Sequence, residues 1–524
     1  MKKLFILFML VATVTLTGCS NNDDSGMIIV DKTGESKTYD LSAVSDPSIS
    51  GTALFEENED GTTTISLELK GTSSGAHPAH VHMNTAAESG DIVIDLASVD
   101  GSTGMSSTVV SAFNDGTAVT YSQLLEYDGY INVHESAENL GTLIAQGDIG
   151  QNELNGTSKE YALSPKSDPS ISGTATFSKR VNGTTLVTLA LNGTKEGDAF
   201  PAHIHNNSAA ESGAIIIDLD TIRGPAGISY TQVEALNTGE AITYDELLEF
   251  NGYINAHLSA ANLGVLVAQG DIGINELTGN SEEYALGSVS NPTISGTATF
   301  SERINGSTLI SIALDGTAEG DAFPAHIHQN TAAESGAIVI NLDTIRGASG
   351  VSLSQIDTLN TGEAITYGEL LEFDGYINAH LSGTNLGVLV AQGDIGQNKL
   401  TGNTTDYTLS SVSDQAVSGL ATFSERINGE TLVTLALVGT VADGLHPAHI
   451  HTGSVAEAPG TIIIDLTSVA GDTGLSKTNV AAYNDGTAIN YTEMMTINGY
   501  INVHLSAENP GVLIAQGNVG SNAE

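Results

Sequence analysis

Four histidines stand at equal intervals in this chain: His80, His203, His326 and His449 are 123 residues apart. The same line surrounds each of them, PAHVHMNTAAESGDIVIDL in the first copy and PAHIHNNSAAESGAIIIDL in the second. A second line, GYINVHESAENLGTLIAQGDIG at 129–150, returns at 252–273, 375–396 and 499–520. The opening DPSISGTA has counterparts beginning at Asp168, Asn291 and Asp414. This period is far longer than a solenoid repeat and matches an independent domain. The spacing predicts four domains, 34–155, 156–278, 279–401 and 402–524. No Pro-rich or Gly/Ser-rich linker separates them.

Within a unit the patterning is β. In GTATFSKRVNGTTLVTLALNGT (173–194), Asn182-Gly183 lies between two alternating, β-branched runs. That predicts a hairpin with a type I′ turn. Asn305-Gly306 and Asn428-Gly429 repeat the signal, and Asp60-Gly61 replaces it in the first copy. One short helix per unit is expected, because Thr243 and Glu246 have capping-box spacing, as do Thr120/Gln123, Thr366/Glu369 and Asn490/Glu493. Many short strands with little helix predict an all-β sandwich or barrel. Tryptophan is absent, so each core must be small and mainly aliphatic.

The N-terminus reads as an export signal. Lys2 and Lys3 precede an apolar run from Leu4 to Leu16, too short to span a bilayer, and Leu16-Thr17-Gly18-Cys19 follows. This resembles a bacterial lipobox, which implies cleavage after residue 18, lipid on Cys19 and a tether over 19–33. Cys19 is the single cysteine, so no disulfide can form within the chain. The expected location is the outer membrane, lipid-anchored and facing the cell surface. The formal net charge of −46 would repel nucleic acid and anionic lipid headgroups. The lipid anchor and an extracellular protein or glycan are the partners expected.

All fourteen histidines fall in two places per unit. The sets are His80, His82 and His134; His203, His205 and His257; His326, His328 and His380; and His449, His451 and His504. In a strand, residues i and i+2 share a face about 7 Å apart, so His-x-His can present two imidazoles to one ion. A third imidazole from a neighbouring strand would complete a set suited to copper or zinc, with a position left open. Asn132, two residues before His134, would share that face. A buried hydrogen-bonded cluster explains the same pattern equally simply. His77 and His446 stand where the middle copies have Phe200 and Phe323. Glu88, Glu211, Glu334 and Glu457 are near enough in sequence to act as a base, but loop carboxylates exposed to water are the plainer reading. GDIGQNE lacks calcium-loop spacing and reads as a turn.

Taken together, the AHIH strand, the Gly-containing segment, the apolar strand and the INVH…IAQG pair resemble the CHRD (chordin-type) domain. The fourth copy, PAHIHTGSVAEAPGTIIIDL with GYINVHLSAENPGVLIAQG, is nearest to that pattern. The family's usual arginine before Gly-Gln is aliphatic here: Ile144, Val267, Val390 and Ile514. The resemblance implies four tandem immunoglobulin-like β-sandwiches and no settled activity. A more distant similarity to copper/zinc superoxide dismutase carries over only three copper-type histidines per unit. Bridging and zinc histidines are absent, and Leu143, Leu266, Leu389 and Leu513 occupy the active-site arginine position. The leading expectation is a non-catalytic surface array of four binding domains. Copper or zinc at each histidine triad is the alternative, and a metal-dependent enzyme ranks behind both.

Overall fold

A computed structural model describes residues 31–413 and 416–523. The export signal, Cys19 and the tether up to residue 30 lie outside the described residues. Two compact units are present: one ends at Thr157 and takes in Lys179–Asn182, and the other holds Ser158–Ser178 and the chain from Gly183 on.

In the first unit the elements are β1 (Lys32–Ala43), β2 (Ser50–Asn58), β3 (Thr63–Lys70), β4 (Ala76–Met83), β5 (Ile92–Asp100), β6 (Met105–Val110), α1 (Tyr121–Leu125), β7 (Asp128–Ser136) and β8 (Asn139–Gly150). The strands pair in the order β1-β2-β3-β6-β5-β4-β7-β8, and β8 returns to β1 to close a barrel. Three further closed barrels repeat this order.

The expected two-sheet sandwich is therefore one sheet closed on itself, and few residues make the difference. β1 meets β8 through Ser42–Gln146 and Ala43–Ala145, and β5 meets β6 at Asp100–Met105. Between these narrow seams lie two broad four-stranded faces. A flattened barrel and a sandwich both need alternating inward and outward residues, so strand patterning does not separate them.

The barrel interior is filled by Tyr39, Leu41, Ala53, Phe55, Leu67, Ala79, Val81, Ile131 and Val133 with their neighbours. Tyr39 and Phe55 meet edge-to-face at 5.1 Å, and the other barrels repeat the pair. Because Ala79 and Val81 point inward, the alternate residues His80 and His82 point outward.

All four capping boxes form as the spacing predicts. The hairpins also form, but not through type I′ turns. Gly306 has φ +80° and Asn305 is not among the positive-φ residues, whereas a type I′ turn requires both. Gly306 N–H donates to the Arg303 carbonyl at 2.9 Å and Arg303 N–H to the Ser307 carbonyl at 3.0 Å. These bonds describe a type I turn closed by a left-handed glycine. The Asn305 side-chain oxygen accepts from Ser307 N at 3.0 Å, which holds the asparagine at negative φ.

In the second unit, successive barrels are joined by buried arginines. Arg303 ends the strand Ser295–Arg303 and is 1% exposed. Its Nη1 donates to Asp271 Oδ2 at 2.9 Å and also to the Asn275 carbonyl of the preceding barrel. Arg426 meets Asp394 Oδ2 at 2.8 Å, the Asn398 carbonyl and, through Nε, Asn479 Oδ1 at 2.8 Å. The second oxygen of each aspartate accepts a backbone N–H, from Ala209 and Ala332, both at 2.8 Å. Asp271 and Asp394 belong to the GDIG segments, whose reading as simple turns missed this role. In the fourth barrel Asn518 takes that place and caps Val455 N at 2.8 Å with no charge.

Candidate metal centre

The twelve triad histidines come together as four groups of three, and in each group one nitrogen per ring lies within 4.8 Å of the other two. The antiparallel register explains the meeting. β4 and β7 pair His80 with Asn132 and His82 with Tyr130, so His134 is the diagonal neighbour of His80. The register slips beside His82 and again on both sides of His134. Such bulges re-aim side chains. Ring centroids of His80 and His134 are 5.0 Å apart and those of His80 and His82 5.9 Å. The other barrels reproduce these values within a few tenths of an ångström.

The outward nitrogens are tied down, and this decides which nitrogens face the centre. His82 Nδ1 lies 2.9 Å from the Gly90 carbonyl, and His134 Nδ1 2.7 Å from the Leu140 carbonyl. A carbonyl only accepts, so each Nδ1 carries the proton and each Nε2 keeps a bare lone pair. The second and third histidines of every barrel are held alike, by Gly213 and Leu263, Gly336 and Leu386, Gly460 and Pro510. Gly90 is itself fixed, since its N–H donates to Tyr130 Oη at 3.1 Å while the Tyr130 ring stacks on His82. A Cβ at Gly90 would lie 2.0 Å from the Met83 carbonyl, so only glycine fits.

The first histidine faces the centre with Nδ1. In the fourth barrel His449 Nδ1, His451 Nε2 and His504 Nε2 are all buried without a hydrogen-bond partner. His203 Nδ1 and His257 Nε2 are in the same condition, while His205 Nε2 has Asn255 Nδ2 at 3.4 Å. Gln269 orients that amide by donating to Asn255 Oδ1 at 2.9 Å. In the first barrel His80 Nδ1 and His134 Nε2 are 3.1 Å apart. Zinc–nitrogen bonds of about 2.0–2.1 Å would place three tetrahedral ligands about 3.3 Å apart, so small side-chain shifts would complete the set.

Burial holds the His80 and His134 pKa values below the ordinary histidine value, and neighbouring imidazoles add to the effect. The same holds for His203, His257, His326, His380, His449 and His504. The neutral ring, which is the ligating form, is favoured.

The remaining candidates lie apart from the triads. His77 is buried with Nδ1 2.8 Å from the Glu135 carbonyl and Nε2 3.0 Å from the Ser73 carbonyl. His446 likewise meets the Leu505 carbonyl at 2.8 Å. Both tie the first histidine's strand to the chain just beyond the third histidine, where Phe200 and Phe323 pack in the middle barrels. Glu88 Oε2 accepts from Thr85 Oγ1 at 2.7 Å and braces its own loop. Glu211, Glu334 and Glu457 do the same. The elements that sequence reasoning missed are the carbonyl locks and the Tyr130-type clamp. The tyrosine sits in every GYIN motif, so a signal for it was present.

No curated protein matches the chain. A family profile described as the CHRD domain matches residues 36–144, which hold the first triad and most of the first barrel. The other barrels repeat its strand order and its histidines, the pattern that tandem copies of that domain would give.

Proposed function

We propose that each barrel binds one copper or zinc ion, through Nδ1 of the first histidine and Nε2 of the second and third. The supporting observation is that three buried imidazole nitrogens converge in each barrel, most of them without a partner, while Nδ1 of the second and third histidines is locked to a carbonyl. A buried unpartnered polar atom costs about 1–3 kcal/mol, so the three that meet in the fourth barrel make little sense without an occupant. Three imidazoles suit both metals and leave a coordination position for water or another ligand. A non-catalytic role is favoured, because the nearest loop carboxylates are occupied in bracing their own loops.

Isothermal titration of the full chain with Cu(II) and Zn(II) tests this reading. Up to four ions per chain are expected, falling by one in a His203→Ala/His205→Ala variant. A folded chain that takes up no ion would reduce the triads to a hydrogen-bonded cluster.

The setting proposed for this array is the cell surface, with lipid on Cys19 as anchor. It rests on the Leu-Thr-Gly-Cys segment and is tested by labelling cells with a fatty-acid analogue: Cys19→Ala should abolish incorporation. An extracellular protein or glycan partner rests on the fourfold repetition alone.

A further inference from the structure

Resting on the metal reading above, we propose that the aspartate opposite the first histidine of a triad is a positioning residue that strengthens the ion's hold, and that the third barrel, which lacks it, is the weak site of the four. The cross-strand partners of His80, His203 and His449 are Asp95, Asp218 and Asp465. Their Oδ1 atoms lie 3.9, 3.8 and 3.8 Å from the histidine Nε2. In the third barrel the partner of His326 is Asn341.

The chemistry follows from which nitrogen faces the centre. A histidine that ligates through Nδ1 must carry its proton on Nε2, and that N–H points toward the aspartate. A carboxylate beside an imidazole N–H makes the opposite nitrogen a stronger donor to the ion and helps fix the ring. These carboxylates are about 70% exposed and lie beyond direct hydrogen-bond distance. Water screens them, so the effect belongs at the lower end of the 10–100-fold range such partners command, about tenfold. The rest of the third site matches the others. His328 Nδ1 and His380 Nδ1 keep their carbonyls at 2.9 and 2.6 Å, and the His326 and His380 rings are 5.0 Å apart. Asn341 therefore isolates the loss of one charge.

Competition titrations of the full chain against a chelator of known Cu(II) affinity should resolve three tight ions and one about tenfold weaker. The weak class should vanish in His326→Ala/His328→Ala. Asn341→Asp should make four equal sites, and Asp218→Asn should produce two tight and two weak, with Asp218→Glu restoring the original pattern. Copper EPR supplies a readout that stability does not move, because the third site's signal should shift to match the other three in Asn341→Asp. Four ions of equal affinity, indifferent to Asn341→Asp, would overturn this proposal and leave the metal reading standing. No bound ion in a folded chain would overturn both.

Discussion

At the scale of single residues, the triads tie stability to proton uptake. Eight of the twelve histidines have folded-state pKa values lowered by burial. In the unfolded chain they titrate near 6.5. As pH falls through about 6.5 the unfolded chain takes up protons before the folded one. The stability they contribute is thus complete above that pH and declines below it. Urea denaturation of the metal-free chain should show a loss between pH 7 and pH 5.5, above the range where carboxylates titrate. Substituting the triad histidines of one barrel by glutamine should flatten part of that slope. Tyr253 offers a second test. Its hydroxyl accepts from Gly213 N at 2.9 Å, and the Gly213 carbonyl locks His205. Tyr253→Phe should cost about 1 kcal/mol in denaturant melts and weaken one of the four proposed metal sites.

Among the elements, short signals decide local shape and neighbours decide aim. The capping box around Thr243 closes on both sides, with Thr243 N and Oγ1 each 2.8 Å from Glu246 Oε2. Thr243→Ala should lower stability by about 1 kcal/mol, measurable in the same melts. The hairpin glycines are a different matter. Gly306 at φ +80° has nothing within 4 Å of where its Cβ would be. Any cost of Gly306→Ala would therefore be backbone strain alone. The unbroken β4–β7 register sets the three imidazoles on one face, and the bulges beside His82 and His134 lie in the pairings of those strands with β5 and β8.

For the molecule as a whole, the charge pattern at strand ends records how barrels are joined. Arg303 and Arg426 are buried and paired with Asp271 and Asp394. In the first barrel the corresponding strand-end residue is Asn58, buried and bonded to Thr62 and Thr64. At the far end Asn518 stands in the aspartate's place. Amides keep the local hydrogen bonds where no opposite charge is present, and an unpaired buried charge would be costly. Arg303→Met should cost about 3–5 kcal/mol, because Asp271 is left beside a buried contact. Calorimetry should then show the melting of the second unit split into separate transitions. Adding Asp271→Asn should recover part of the loss. Recovery is the informative arm, because a merely misfolded Arg303 variant would not respond to it.

The sequence by itself determined the repeat, the β class, the hairpin positions, the capped helices and the membership of every triad. All of these rest on residue spacing, which strand and helix geometry translate directly into faces and turns. Two decisions belonged to tertiary structure, and a third to a local bond beyond the letters of the turn itself. Sheet closure depends on seams such as Ser42–Gln146, which bring together residues a hundred positions apart. The turn type at Asn305-Gly306 was decided locally, by a hydrogen bond from Ser307 N to the asparagine side chain two residues before it. The inward nitrogen of each ring depends on carbonyls such as those of Gly90 and Leu140. A backbone carbonyl has no residue type, so no pattern of letters announces it. The imidazoles were legible because histidine is a distinctive residue; their aim was not, because the groups that aim them belong to every residue alike.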